Sequence, residues 1–188
     1  MARKRFKIFD FGFKNSFKKH GPTIIGILFI SIFLVWRYHN ARILSFNTST
    51  VSHEFVSSGI KPVYIKSYPL GIDTEIKDSA IVDGVWQIQL NSANYLVSSA
   101  GIGDNGNTII YGHNKDNILG PLRWIKKGAE IEILASCNKY YYEVIDTHEV
   151  DPDNLQYILP TDSEILTIYT CTGFLDSKRF IAQAVLKN

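Results

Sequence analysis

The sequence predicts an all-β domain, an eight-stranded closed or nearly closed β-barrel with one or two short helices, preceded by an N-terminal transmembrane helix. From Lys61 onward, short runs of β-branched and aromatic residues alternate with Gly, Pro, Asn and Asp, which is typical of strands and turns. A sixteen-residue stretch without charge, Gly21 to Trp36, precedes them. With 188 residues, 20% charged residues and two Cys, the chain fits one globular domain and is neither a disordered tail nor a disulfide-dense mini-protein.

The uncharged stretch is predicted to be an uncleaved membrane anchor at residues 21–37. As a helix, its sixteen residues would span roughly 24 Å of a ~30 Å hydrocarbon core, and the flanking Lys19 and Tyr38 can reach the headgroups. A cleaved signal peptide needs small residues at its cleavage site, but the residues after Trp36 are bulky and polar. A buried core helix would not need the dense positive charge that precedes this stretch.

The uneven distribution of charge predicts the orientation of the anchor. The first 21 residues contain seven Lys and Arg and one acid, Asp10, whereas the remainder has more acids than bases. By the positive-inside rule, residues 1–20 form a cytoplasmic basic tail and everything after Arg37 lies outside the cell membrane. Nucleic-acid binding is not expected, because the basic arm is joined to an apolar span and the acidic remainder repels phosphate.

Residues 38–60 are predicted to be an extracytoplasmic stalk and residues 61–188 a folded domain. The stalk is rich in Ser, Thr and Asn and shows no sustained hydrophobic period. One short helix is expected, from Asn117 to Lys127 and ended by Gly128. Eight short strands with almost no other helix favour a barrel. The predicted strands are Val63–Lys66, Val85–Leu90, Tyr95–Ser98, Thr108–Gly112, Glu130–Leu134, Tyr140–Val150, Ile165–Cys171 and Arg179–Leu186.

Three residues in this domain have types and positions that suggest a nucleophilic site. Cys171 ends one predicted strand, so its thiol is expected at the barrel rim. His113 ends another strand and is the leading candidate to accept the thiol proton. Arg179 lies eight residues beyond Cys171, at the start of the next strand. A hairpin would bring its guanidinium beside the thiol, where it can lower the thiol pKa and bind an oxyanion.

Each of these residues has an ordinary structural explanation when it is taken alone. A strand Cys is commonly a small buried hydrophobe, a His a hydrogen-bonded structural side chain, and an Arg beside Lys178 a solvated charge. A free thiol outside the cytoplasm is at risk of oxidation, however, so the presence of Cys171 needs an explanation. The three residues together favour a catalytic site.

The segment Thr167 to Cys171, with the sequence TIYTC, resembles the TLxTC signature of sortases, the cysteine transpeptidases that attach proteins to the surface of chiefly Gram-positive bacteria. Ile168 replaces the usual Leu, which is a conservative change. The resemblance covers residues 60–188, and the order of anchor, stalk and domain is also that of the family. Four further landmarks of the family occur in order. They are a strand that ends in the catalytic His (Asn107–Asn114), a short helix (Leu122–Gly128), the segment that leads to the Cys strand (Val150–Thr161) and the strand of the catalytic Arg (Arg179–Ala184).

The resemblance implies acyl transfer. Cys171 would form a thioacyl-enzyme at the Thr–Gly bond of a C-terminal sorting motif similar to Leu-Pro-x-Thr-Gly, with His113 as general acid and then base. Arg179 would hold the oxyanion or the motif's backbone, and Thr170 would help to fix the substrate. The implied partners are secreted proteins with such a motif and an acceptor amine from a peptidoglycan precursor or a pilin Lys. No metal or organic cofactor is implied, and the acids form no recognisable calcium-ligand pattern.

Three alternatives remain open. An L,D-transpeptidase is also an extracytoplasmic, β-rich cysteine enzyme, but its nucleophile has different neighbours from those of Cys171. A papain-like peptidase places its Cys on a helix and before its His, whereas His113 precedes Cys171 by 58 residues. From a different functional class, the domain would be a non-catalytic anchored scaffold in which Cys137 and Cys171 form a disulfide.

Overall fold

The computed structural model of the protein describes residues 13–41, 43–47 and 59–187. The chain divides into two compact units, Met1–Ala41 and Arg42–Asn188. The second unit therefore begins well before the folded domain that the sequence predicts.

The first unit contains one helix, α1, which runs from Phe13 to Ala41. Within α1, the stretch His20–Tyr38 is long and apolar enough to cross a membrane by its length and composition. This stretch includes the predicted anchor at residues 21–37. Residues 1–12, which form most of the predicted basic tail, lie outside the described part of the chain.

The second unit is a closed eight-stranded β-barrel, which confirms the predicted fold class. Its strands, and those of a small ribbon beside it, are β1 (Pro62–Ser67), β2 (Ile72–Ser79), β3 (Ile81–Val82), β4 (Val85–Trp86), β5 (Ala93–Leu96), β6 (Asn107–Gly112), β7 (Glu130–Ala135), β8 (Asn138–Val150), β9 (Ile165–Thr172) and β10 (Lys178–Leu186). The barrel order is β1-β2-β5-β6-β9-β10-β8-β7, and β7 closes onto β1, while β3 and β4 form the separate ribbon. The pairs β2–β5 and β6–β9 are parallel.

Strand β2 is the barrel strand that the sequence analysis missed. Ile72, Thr74 and Ile76 are buried, whereas the residues between them, Asp73 and Glu75, are exposed. This two-residue alternation is what a half-buried strand requires. Charged residues are frequent on its outer face, so the composition of this segment resembles that of a turn and no strand was predicted.

The prediction of a strand from Val85 to Leu90 is wrong beyond Trp86. Val85 and Trp86 form β4, which pairs with β3 outside the barrel. The amide of Gln87 donates to the carbonyl of Ala80, and the amide of Gln89 donates to the side chain of a buried Asn. These backbone donors are satisfied locally, so they do not pair with a neighbouring barrel strand.

The predicted helix Asn117–Lys127 is reduced to a single 3₁₀ turn, Gly120–Trp124. Pro121 has no amide hydrogen and disfavours helical backbone at the residue before it, which prevents a longer helix from beginning upstream. At the other end, Ile125 is extended, with φ −65° and ψ 146°. Within this turn, Gly120 and Leu122 are buried.

Apolar side chains form two clusters, one on each face of the barrel sheet. The interior cluster includes Ile110 of β6 and Ile168 of β9. The outer cluster contains Tyr111 and Tyr169, whose rings stack with centroids 5.4 Å apart and planes within 8°. Because successive residues of a strand point to opposite faces, Cys171, two residues after Tyr169, belongs to the outer cluster.

Residues 43–47 pack against this outer cluster rather than extending as a polar stalk. Leu44 and Phe46 are fully buried, and the ring of Phe46 meets that of Tyr169 edge-on with centroids 5.0 Å apart. Two apolar residues alternating with polar ones are too short a pattern to stand out in the sequence. At the two ends of the predicted stalk 38–60, residues 38–41 belong to α1 and Ile60 forms an isolated bridge with Ile102. Residues 42 and 48–58 lie outside the described residues.

Candidate active site

Three neighbouring strands, β6, β9 and β10, carry the three predicted catalytic residues to one rim of the barrel. Arg179 is the register partner of Cys171 in the antiparallel pair, so the two side chains lie on the same face. On the other side of β9, Gly112 pairs with Thr170 in parallel register. His113 directly follows Gly112, so it leaves β6 at the end of the strand that lies next to Thr170.

The junction between β6 and β9 is fixed by Thr170 and Gly112. Thr170 is fully buried, and its hydroxyl donates to the carbonyl oxygen of Gly112 at 2.9 Å. A Cβ on Gly112 would lie 3.0 Å from Ile118 and 3.1 Å from Leu119, so the absence of a side chain lets the following loop pack closely against this strand end. The hydrogen bond of Thr170 therefore positions Gly112, the residue before His113. The predicted contact between Thr170 and a substrate stays a prediction.

Cys171 is 1% exposed, and its thiol donates to the backbone carbonyl of Ile43, with Sγ and O 2.9 Å apart. Burial is the main cause that raises the pKa of this thiol to about 12. The Arg179 guanidinium lowers the pKa, and the Asp176 carboxylate raises it further. In this arrangement the side chain is a protonated thiol and a hydrogen-bond donor.

His113 is half-buried, and its Nε2 atom is buried without a hydrogen-bond partner among the described residues. Burial lowers the pKa of this imidazole, and the neighbouring Lys115 lowers it further, whereas Asp176 opposes the shift. The ring is therefore neutral near pH 7, with a ring nitrogen available to exchange a proton.

Arg179 is buried, and its guanidinium binds backbone carbonyl oxygens. Nη2 donates to Ser45 at 2.9 Å, and Nη1 donates to Asp176 at 2.9 Å and to Lys178 at 3.0 Å. A planar fork that already holds several carbonyl groups is suited to hold those of a bound peptide.

The loop between β9 and β10 brings a carboxylate to the site that the sequence analysis did not single out. Leu175 and Asp176 both adopt left-handed backbone, with φ of 52° and 58°. The charge of Asp176 raises the pKa of both Cys171 and His113, so it lies near the two groups that would exchange a proton. Its position in a seven-residue polar loop right after Cys171 was the only signal in the sequence.

The two cysteines are free, which contradicts the scaffold alternative based on a disulfide. Cys137 is exposed at the tip of the β7–β8 hairpin with a φ of 65°, whereas Cys171 is buried. Within the described part of the chain, no group of three or more His, Cys, Asp or Glu residues is arranged to hold a metal ion.

A comparison with models of protein families matches residues 70–187 to the sortase domain. The chain belongs to the sortase family. This match confirms the resemblance to sortases, and it sets aside the papain-like and L,D-transpeptidase alternatives. The comparison with curated proteins gave no match.

Solved structures with the same fold are also sortases. A sortase D5 transpeptidase from Clostridium perfringens is 26% identical, with a TM-score of 0.58, over 69% of this chain and 79% of that one. A lid mutant of sortase A from Corynebacterium diphtheriae is 21% identical, with a TM-score of 0.59, over 68% of this chain and 70% of that one. Sortase C1 from Streptococcus agalactiae is 21% identical, with a TM-score of 0.58, over 67% of each chain. At these identities the two latter structures show the fold alone.

Proposed function

We propose that this sortase-family protein is a membrane-anchored cysteine transpeptidase that cleaves a C-terminal sorting motif similar to Leu-Pro-x-Thr-Gly and transfers the acyl group to an amine. One observation carries the proposal: in a sortase barrel, Cys171 has Arg179 as its register partner in β10, and on the other side of β9 His113 directly follows Gly112, the register partner of Thr170.

The first half of the reaction uses Cys171 and His113. The sulfur of Cys171 attacks the carbonyl carbon of the motif's Thr, and its proton passes to the neutral His113 ring. As the tetrahedral intermediate collapses, the C–N bond to Gly breaks and His113 gives that proton to the leaving amine. The product is a thioester between Cys171 and the motif's Thr, with the Gly-terminated fragment released.

The second half resolves the thioester with an incoming amine. His113 accepts a proton as the amine nitrogen attacks the thioester carbon, and the C–S bond breaks to return the proton to Cys171. Arg179 holds the oxyanion or an adjacent carbonyl of the motif in both halves. Its present hydrogen bonds to three backbone carbonyl oxygens support this role, because a substrate backbone offers the same acceptors.

Membrane attachment is part of the proposal. An apolar N-terminal helix and a sortase domain fit a membrane-anchored protein. We place the anchor at residues 21–37, the basic tail 1–20 in the cytoplasm, and the catalytic domain outside. Its partners are then secreted proteins with a C-terminal sorting motif, and the acceptor is a peptidoglycan precursor or a pilin Lys.

The proposal is tested with the full-length protein in detergent and a sorting-motif peptide. The expected product is a thioacyl adduct on Cys171, seen by mass spectrometry, which hydroxylamine releases as a hydroxamate. Cys171→Ala abolishes the adduct and the turnover, whereas Cys137→Ala, which removes the other thiol, retains both. Turnover in Cys171→Ala would show that the thiol is structural and would remove the basis of the proposal.

A further inference from the structure

The most exposed apolar side chains of the barrel unit lie on connections at the rim that carries Cys171. Five large apolar side chains are between 66% and 85% exposed, namely Tyr68, Leu90, Trp124, Phe174 and Leu175. No other large apolar side chain in the described residues of this unit is more than 51% exposed. Exposed apolar side chains gathered on one side of a domain mark a surface that meets a partner or a membrane.

The strand directions place these side chains at one rim. The parallel strands β6 and β9 both end there, and β5 and β2, which run in the opposite direction, both begin there. Strand β1 is antiparallel to β2 and β7, so β1 ends and β7 begins at the same rim. The turn from β1 to β2 carries Tyr68, the connection into β5 carries Leu90, the connection from β6 to β7 carries Trp124, and the turn from β9 to β10 carries Phe174 and Leu175.

Positive charge accumulates on the connection that carries Trp124. Residues 113–129 contain four Lys and Arg and one acid, whereas acids outnumber Lys and Arg in the remainder of the barrel unit. Lys126 and Lys127 are exposed, and the Arg123 guanidinium lies 5.6 Å from the centre of the Trp124 ring. In the described part of the chain, Arg123, Lys126 and Lys127 form no ion pair. Their charge is therefore available to an anionic partner.

Tyr68 belongs to the same surface as Trp124. The turn that begins at Tyr68 contacts the turn that ends at Trp124. The Ser67 hydroxyl, directly before the first turn, donates to the Glu130 carbonyl, directly after the basic connection, at 3.3 Å. Two aromatic rings and three cations thus share one surface, the rim patch, which consists of Tyr68, Arg123, Trp124, Lys126 and Lys127.

The composition of the rim patch is that of a surface that binds anionic lipid. Trp and Tyr are favoured at the boundary between hydrocarbon and headgroups, because each has an apolar ring and a polar group. Lys and Arg on the same face bind the phosphates of anionic lipids. Anchors for a protein partner cluster at the centre of a packed interface, whereas the apolar side chains of this rim stand on separate turns.

The position of the proposed anchor in the chain favours the same occupant. The barrel unit begins at Arg42, directly after α1 ends at Ala41. A domain joined in this way to a membrane-spanning helix stays at the lipid surface. Its effective concentration there is high, so weak contacts are sufficient to dock it.

We propose that the rim patch docks the barrel on the anionic headgroups of the membrane that holds α1, with Trp124 and Tyr68 inserted at the interface. This inference rests on the membrane attachment in the proposed function and not on the transpeptidase reaction. In the docked state, the rim that carries Cys171 faces the lipid surface, so substrates held in the membrane reach the thiol more readily than free ones.

The test measures contact between Trp124 and lipid in the full-length protein. Trp36 in α1 is replaced by Phe, so that Trp124 and the buried Trp86 are the remaining tryptophans. This protein is reconstituted into vesicles of phosphatidylcholine, with or without phosphatidylglycerol, made from lipids with brominated acyl chains that quench nearby tryptophans. The difference from a Trp124→Phe sample isolates the emission of Trp124. We expect strong quenching and protection from iodide in the anionic vesicles, and neither effect in the neutral ones.

Two matched double variants test the contribution of the lysines. Lys126→Gln/Lys127→Gln should shift the docking equilibrium roughly 25-fold toward the undocked form, because each Lys near an anionic surface contributes about fivefold. Lys61→Gln/Lys77→Gln removes the same charge from two exposed lysines near the start of β1 and the end of β2, at the opposite end of the barrel, and should leave Trp124 quenching unchanged. High salt should act like the first variant.

Three results would overturn the proposal. The first is iodide quenching of Trp124 that is equal in detergent and in anionic vesicles, which is also the result expected if the rim patch binds another protein. The second is equal quenching by brominated lipid in neutral and anionic vesicles. The third is an unchanged signal in Lys126→Gln/Lys127→Gln.

Two controls separate this inference from the proposed function. Thioacyl formation on Cys171 is measured in detergent, without a bilayer, so its absence rejects the transpeptidase and leaves the docking result intact. Protein that alkaline carbonate removes from the vesicles lacks the proposed anchor, which rejects the docking with it. Retained protein whose Trp124 stays accessible to iodide rejects the docking alone.

Discussion

Cys171 and Arg179 are register partners across β9 and β10, and their side chains donate to the backbone carbonyls of Ile43 and Ser45, which are two residues apart. A thiol and a guanidinium held in this way can engage successive carbonyl groups of one extended peptide. The chemistry of Arg179 is therefore open to a direct test.

Arg179→Lys keeps the charge but loses the planar fork. A single ammonium cannot hold two carbonyl groups with the same geometry, so we expect kcat/KM for a sorting peptide to fall about 10²–10³-fold, which corresponds to roughly 2.7–4 kcal/mol of transition-state stabilisation. The neighbouring Lys178→Ala, which changes a half-exposed side chain, serves as the matched control and should stay within a fewfold of wild type. Near-normal activity in Arg179→Lys, with unchanged circular dichroism and thiol content, would reduce Arg179 to a source of positive potential.

Asp176→Asn should shift the pH dependence of thiol reactivity to lower pH. The Asp176 carboxylate raises the pKa of both Cys171 and His113, so its neutralisation lowers both and increases the thiolate fraction at a given pH. Asn tolerates the left-handed backbone at this position, where φ is 58°. The measurement is the rate of Cys171 alkylation at several pH values below its raised pKa, where the rate follows the thiolate fraction and should be higher in Asp176→Asn at each pH.

Two controls accompany this pH series. Asp162→Asn removes an exposed acid that has no part in either shift, and Cys137 provides a reference thiol in every sample. A Cys171 profile that moves to higher pH in Asp176→Asn would show that the carboxylate acts through loop structure rather than charge.

Thr170→Val tests whether this buried hydroxyl positions the catalytic residues. Loss of the hydrogen bond to the Gly112 carbonyl should cost about 1 kcal/mol of folding free energy and lower the Tm by roughly 2–4 °C. We expect kcat to fall while KM for the peptide changes little, because the end of β6 that carries His113 is less firmly held. Thr170→Ser keeps the hydroxyl and should restore kcat. A large rise in KM alone would instead support the predicted substrate contact.

The sequence was sufficient for the pairing of strand ends. Arg179 could be placed beside Cys171, and the end of β6 that precedes His113 beside the end of β9, because each lies at a strand terminus with a clear polar loop next to it. The catalytic roles of these residues stay predictions. Asp176 could not be placed, because its influence depends on left-handed backbone at two loop residues that carry no glycine signal.

The packing of residues 43–47 was beyond the reach of local patterns for a different reason. Its partners, including Trp86 and Tyr169, lie roughly 40 to 125 residues away in the chain, and three of its hydrogen bonds are accepted by backbone carbonyls. Backbone acceptors are present in every segment, so no residue type marks where they bind. Strand β2 was missed because Asp73 and Glu75 on its exposed face resemble a loop composition.

The last prediction concerns the fragments 61–188 and 43–188, which differ by residues 43–60. Both should fold, because the barrel strands all lie after residue 61 and close on themselves. Without Leu44 and Phe46, however, the 1% exposed Trp86 loses part of its cover. The emission maximum of 61–188 should therefore lie at longer wavelength, and its fluorescence should be quenched more strongly by iodide.

Trp124 must be removed from this measurement, because it is 69% exposed in the intact protein and contributes to both spectra. In a Trp124→Phe background, Trp86 is the one remaining tryptophan of either fragment. A blocked Ile-Leu-Ser-Phe-Asn peptide, which has the sequence of residues 43–47, should then reverse the shift in 61–188. It should have no effect on 43–188, in which Leu44 and Phe46 already cover the outer cluster. Identical spectra and quenching for the two folded fragments would show that residues 43–47 do not cover the outer cluster in solution.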